Sequence, residues 1–203
     1  YGTNVTMLGG AGSDSLMSWS DISFLDGGAG ADSIYAGGDY ATIRGGDGND
    51  TIVTYGQYAT INAGDGNDSI NITSIGDEST INTGTGNDII TLASAAYNNV
   101  IKYATGDGND TIYGLNYSDT IQITSGTYNT VASGSDVMIN VGNGSILVKN
   151  GSTTALNIVG TTATISGGND TTSGGTDTTS SGDDTTSGSD DIDGVTYNSN
   201  NKK

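Results

Sequence analysis

Gly45-Gly46-Asp47-Gly48-Asn49-Asp50-Thr51-Ile52-Val53 is a glycine-rich loop that closes on an aspartate and runs into a short apolar strand. The chain writes this unit six times, closing the loops at Asp14, Asp32, Asp50, Asp68, Asp88 and Asp110. The second loop position is glycine in every copy: Gly10, Gly28, Gly46, Gly64, Gly84 and Gly106. The fourth is glycine too: Gly12, Gly30, Gly48, Gly66, Gly86 and Gly108. Positions three and five vary. Glycine accepts a positive φ without strain, so the invariant pair marks a backbone that turns sharply.

Outward from this stretch, apolar markers recur at Leu8, Leu16, Leu25, Ile34, Ile43, Ile52, Ile61, Ile70, Ile81, Ile90, Ile101, Ile112 and Ile121. Most steps are nine residues, one is eight and three are eleven. A helix of 3.6 residues per turn would scatter such markers around its axis. The larger period is eighteen residues with unlike halves, because the stretches Ala36–Arg44 and Tyr55–Asn62 carry a marker without the loop. One turn of a solenoid is then loop, strand, plain turn, strand. Turns stack at about 4.8 Å, so six or seven make a rod roughly 30 Å long. The markers point inward from two facing sheets, about one per strand, and stability comes from stacking.

After Ile121 the texture changes. Asp136–Val141 and Ser145–Val148 alternate polar and apolar residues around Gly142-Asn143-Gly144, the pattern of an antiparallel hairpin. Leu156–Val159 could add a strand, and such an element would cap the open end. The degenerate unit Gly114–Gln122, with Asp119, reads as the transition. From about Thr161 the chain is Thr, Ser, Gly and Asp, the composition of a disordered linker. The expected organisation is a parallel roll over 1–122, a β cap over 123–160 and a linker over 161–203.

Composition narrows the function. The 203 residues hold 23 acidic and 5 basic side chains, a net charge of -18. No basic face for nucleic acid can be built, and anionic lipid and polysaccharide are disfavoured. No apolar run approaches the ~20 residues of a membrane helix. With no cysteine and no histidine, disulfides, soft-metal sites and Ser-His-Asp or Cys-His catalysis are excluded. No catalytic or organic-cofactor residue stands out. The first residues, Tyr1 to Leu8, already look like repeat, and the chain reads as part of a longer protein.

Stacked loops would bring aspartates within a few ångströms of one another, where like charges repel or take up protons. A cation between them removes that penalty. Calcium accepts six to eight oxygens in flexible geometry, whereas magnesium wants a strict octahedron and keeps its waters. Six loops leave five gaps. Residues 1–160 carry 16 acidic and 3 basic side chains, a net charge of -13. Five divalent ions would bring that to roughly -3. The same residues admit a second arrangement, a metal-free ladder of Asn49, Asn67, Asn87 and Asn109.

The tandem motif, Gly-Gly-x-Gly-x-Asp-x-apolar-x, resembles the RTX family, the hemolysin-type calcium-binding repeats of secreted bacterial proteins. The resemblance covers roughly residues 8–122. Gly27–Tyr35 and Gly45–Val53 fit throughout, while Ala63, Thr83 and Thr105 depart at the first position. It implies a right-handed parallel β-roll or β-helix, with calcium held in the turns by loop carbonyls and sixth-position aspartates. The ligands would be Asp32, Asp50, Asp68 and Asp88 with their loop glycines, then Asp14 and Asp110. Motif loops fall on only one half of each turn, so a single column of about five ions is expected. The implied role is an extracellular or cell-surface structural module, such as part of an adhesin or exoprotein, folding on calcium outside the cell.

Another reading is a carbohydrate-binding module of an extracellular polysaccharide-acting enzyme. Tyr35, Tyr40, Tyr55, Tyr58 and Tyr113 would stack on sugar or cell-surface glycan. Against it, Tyr40 and Tyr58 lie eighteen apart and would pack on each other. Enzymatic chemistry would need a base near a carboxylate, and only Arg44, Lys102 and Lys149 are available in the body.

Overall fold

The computed structural model describes residues 4–73 and 78–160. The expected linker over 161–203 lies outside the described residues. The described chain is all-β, a parallel solenoid of about six turns.

One face is built from β1 (Thr6–Ala11), β3 (Phe24–Ala29), β5 (Thr42–Asp47), β7 (Thr60–Asp65), β9 (Thr80–Thr85), β11 (Val100–Tyr103) and β13 (Thr120–Ile123). The other is built from β2 (Ser15–Ser18), β4 (Ser33–Ala36), β6 (Thr51–Thr54), β8 (Ser69–Ile72), β10 (Ile89–Leu92) and β12 (Asn109–Tyr113). Chain order alternates between faces, so each strand pairs in parallel with the strand one turn away. Ile34 stands beside Ile52 and Ile52 beside Ile70. Leu25, Ile43, Ile61 and Ile81 make the matching row opposite.

Both rows are fully buried. A second inward position, two residues beyond each marker, adds Ala36, Ile72, Leu92, Tyr103 and Ile123 to the core. The interior is thus about two residues deep per strand, not one. The first marker also needs correction. Met7, not Leu8, stands beside Leu25 and packs against the core, while Leu8 is 70% exposed. Counted from Met7, the step to Leu16 is nine residues, and the irregular step of eight disappears.

The hairpin around Gly142 forms as β15 (Asp136–Val141) and β16 (Gly144–Val148). It gains a preceding strand that the sequence pattern did not suggest, β14 (Tyr128–Ser133), antiparallel to β15. β16 then runs parallel to β12, with Ile112 beside Val148, and continues the stack in place of another turn. β17 (Asn157–Gly160) covers β13 in the same way. Lys149 pairs with Asp136 at 2.6 Å and pins the end of β16 to the start of β15.

Candidate metal centre

Every motif loop joins an odd strand to the following even strand. All six therefore lie on one edge of the rod, and the plain turns lie on the other. Through the first five loops the second-position glycines are in register: Gly10, Gly28, Gly46, Gly64 and Gly84. Each has φ between +90° and +119°. A Cβ on Gly46 would sit 1.8 Å from the carbonyl oxygen of Gly28, so turns can close to strand spacing only without a side chain here. Gly12, Gly30, Gly48, Gly66 and Gly86 also have positive φ, and each amide donates to the third-position carbonyl of the next loop at 2.7 Å.

Two side-chain ladders zip the loops, and they run in opposite directions. In one, the amide of each sixth-position aspartate donates to Oδ1 of the aspartate one turn later, from Asp14 to Asp32 and on to Asp110, at 2.7–3.0 Å. In the other, the amides of Asn67, Asn87 and Asn109 donate backwards to Oδ1 of Asn49, Asn67 and Asn87 at 2.8–3.1 Å. Ser145 of β16 extends this row by donating its hydroxyl to Asn109. The asparagine ladder therefore exists, but it does not satisfy the carboxylates.

The second carboxylate oxygen decides the chemistry. Oδ2 of Asp14, Asp32, Asp50, Asp68 and Asp88 is buried and has no hydrogen-bond partner among the described residues. Beside it lies a cradle formed by the first loop position. A Cβ on Gly27 would meet Oδ2 of Asp32 at 2.4 Å and the carbonyl of Gly45 at 2.6 Å. On Gly45 it would meet Oδ2 of Asp50 at 2.3 Å and the carbonyl of Ala63 at 2.2 Å. A carboxylate oxygen and a carbonyl oxygen from adjacent loops thus converge with no donor between them. Such a set is all oxygen and suits a hard divalent cation. No group of three or more acidic side chains converges among the described residues. A cation here would take pairs of carboxylates with backbone carbonyls.

Burial raises the carboxyl of Asp50 above its usual range and pushes Asp68 up to about 6 and Asp88 up to about 8. The amide bond received from the preceding aspartate opposes the rise, and neighbouring carboxylates add to it. Unaided, the row resists carrying its full negative charge.

A family model described as the RTX calcium-binding nonapeptide repeat matches the chain in four copies, over residues 8–43, 26–58, 59–71 and 105–122. These are RTX calcium-binding repeats. RTX repeats of this kind are typical of secreted bacterial proteins. Among solved structures, the crystal structure of the extracellular lipase LipA from Serratia marcescens is similar at 16% identity and a TM-score of 0.38. That alignment covers 73% of this chain and 36% of the lipase chain, so this chain spans about a third of that protein's length. No curated protein matches the chain.

The sixth RTX loop departs from the other five. β11 ends at Tyr103, which fills the inward position that Thr83 occupies one turn earlier. Two further residues intervene before Gly106, and a Cβ on Gly106 would meet nothing within 4 Å. Gly106, expected beside the ligands, is therefore not stacked on Gly84. Register returns only at Gly108, which bridges to Gly86. Asp110 rejoins the ladder with both oxygens engaged, Oδ1 by the amide of Asp88 and Oδ2 by the hydroxyl of Thr83 at 3.0 Å.

Asp119 belongs to the opposite edge. It is fully buried and accepts from the amides of Asn99 and Asn116 and from the Asn99 carboxamide. It ends a ladder that starts with Ser79 accepting from the Ala59 amide. Aromatic residues gather on the same edge. Tyr40 and Tyr58 stack on each other with centroids 4.8 Å apart and planes 9° from parallel. Trp19 lies 5.7 Å from Tyr55.

Proposed function

We propose that this chain is a calcium-loaded structural module of a secreted or cell-surface bacterial protein, an adhesin or exoprotein, and that it folds when calcium binds outside the cell. The observation that carries the reading is the row of buried, partnerless Oδ2 atoms from Asp14 to Asp88 along one edge. Asp14, Asp32, Asp50, Asp68 and Asp88 would hold a single column of ions together with carbonyls of the glycine loops. Calcium, when bound, supplies the positive charge and the oxygen coordination that this row calls for. The two ladders and the glycine contacts set the spacing, so this chain's own backbone positions the oxygens. Binding free energy then becomes folding free energy.

A catalytic role finds little support. Arg44 lies over the ring of Phe24 at 5.3 Å, and Lys149 is paired with Asp136. Of the tyrosines that the glycan-binding alternative would use, Tyr40 and Tyr58 turn one ring face to each other and keep the rest of the ring exposed.

The test is a calcium titration followed by far-UV circular dichroism. The expected result is mostly coil in chelator, a cooperative gain of β-signal with calcium and poor substitution by magnesium. Replacing Asp50 and Asp68 by alanine should raise the midpoint. A β-signal that is complete in chelator and indifferent to calcium would overturn the proposal.

A further inference from the structure

We propose that the ion column stops one gap early. Six loops offer five gaps, but the gap between the fifth and sixth loops holds the buried Thr83 side chain, whose hydroxyl takes the place of a cation beside Asp110. The inference rests on the calcium reading above and concerns how many ions the edge can take.

Three features separate this gap from the others. First, the first-position residue carries a side chain. Thr83 stands where Gly27 and Gly45 leave a cradle, and it is fully buried. Its Oγ1 donates to Oδ2 of Asp110 at 3.0 Å, so the oxygen that lacks a donor in the five preceding aspartates has one here. Second, Tyr103 occupies the equivalent inward position of the sixth loop, is 1% exposed, and donates its hydroxyl to the carbonyl of Gly108. That carbonyl also accepts from the Ser145 amide at 2.9 Å, so it is held by the protein. Third, the two-residue lengthening before Gly106 takes the second-position glycine off the stack, while Asp107 turns back to accept from the Ala104 amide at 2.7 Å. At the sixth loop Oδ2 of Asp110 has a protein donor and the second-position glycine has left the stack, while Oδ2 of Asp88 stays without a partner among the described residues.

The fourth gap is intermediate. Ala63 places a methyl group in the cradle but brings no donor, and Oδ2 of Asp68 and Asp88 stay without partners. It keeps its metal character, and the column holds four ions rather than five. The hydroxyl plug also gives the turn nearest the β cap a closure that needs no metal.

Native mass spectrometry of the whole chain in calcium-containing ammonium acetate counts the ions directly. The expected maximum is four. Asp110→Asn should keep that count, since a carboxamide can still meet both the Asp88 amide and the Thr83 hydroxyl, whereas Asp50→Asn should lose at least one ion. Thr83→Ser should behave as wild type. Thr83→Val, which strands Oδ2 of Asp110, should lower the thermal midpoint while leaving the count at four. A wild-type count of five, or loss of an ion in Asp110→Asn as in Asp50→Asn, would overturn the plug while leaving the calcium reading intact. Binding of no calcium by any form would instead refute the calcium reading, and this inference with it.

Discussion

Replacing Asp88 by asparagine should help the calcium-free fold and weaken its response to calcium. Oδ1 of Asp88 accepts from the Asp68 amide at 2.7 Å, and a carboxamide oxygen can keep that bond. What the substitution removes is a buried negative charge. Burial pushes the Asp88 carboxyl from 3.8 up to about 8. Its folded pKa lies above its unfolded one, so the folded state binds the extra proton. Calcium-free stability then falls as pH rises from about 4 to about 8 and is flat outside that window. At pH 7.5 the penalty is about 5 kcal/mol, at 1.36 kcal/mol per unit. The new amide N–H₂ stands where Oδ2 has no partner, which returns about 1–3 kcal/mol. The net gain is roughly 2–4 kcal/mol at pH 7.5 and turns into a net loss of about 1–3 kcal/mol near pH 4, where the charge penalty has vanished and the unpaired amide remains. Loss of one ion removes about 2.7 kcal/mol of ligand stabilisation when free calcium is a hundred times its dissociation constant. Folding induced by trimethylamine N-oxide, followed by far-UV circular dichroism in calcium-stripped and calcium-containing buffers, reads both effects. The variant should need less osmolyte than wild type without calcium at pH 7.5, and calcium should shift its midpoint less. A variant that needs more osmolyte without calcium, or that gains as much from calcium as wild type, refutes the reasoning.

Wild type itself should fold more readily in calcium-stripped buffer at pH 4.5 than at pH 8, because the raised carboxyls of Asp68 and Asp88 are then protonated; osmolyte midpoints across pH check the sign. Gly46→Ala should destabilise the calcium-loaded rod by more than about 3 kcal/mol, since φ is strained and the methyl group meets the Gly28 carbonyl; urea unfolding measures it. Ile22→Asn should stabilise by about 1 kcal/mol, because a β-branched residue at φ 56° on the exposed edge gives way to one that tolerates the left-handed region; thermal unfolding in calcium reads this.

The solenoid was legible because one chain repeats its own evidence. Strict nine-residue spacing of Ile34, Ile43, Ile52, Ile61 and Ile70 leaves no other regular structure, and the invariant glycines placed the loops. The second core row was hidden because its members include Thr54 and Ser18, which do not read as apolar. Leu8 outranked Met7 on hydrophobicity, and only strand pairing separates them. The sixth loop keeps the motif's second and fourth glycines and its aspartate, yet Tyr103 takes the inward slot and displaces it. The one outward sign was the eleven-residue step from Ile101 to Ile112. Left-handed Tyr40 and Tyr58, each at φ 59°, gave no sign at all, since tyrosine is a poor residue for that conformation.

Because the backbone crosses between the two sheets twice per turn, the length of this rod can change only in whole circuits. Excising eighteen residues, from Ser33 through Asp50, would join Asp32 to Thr51 and leave every remaining layer facing its old direction. Excising nine would swap the two edges for everything downstream, setting aspartates against tyrosines and severing both zippers at the scar. Duplication and loss in such a gene are therefore counted in full laps, and half-lap accidents should be absent from any working descendant.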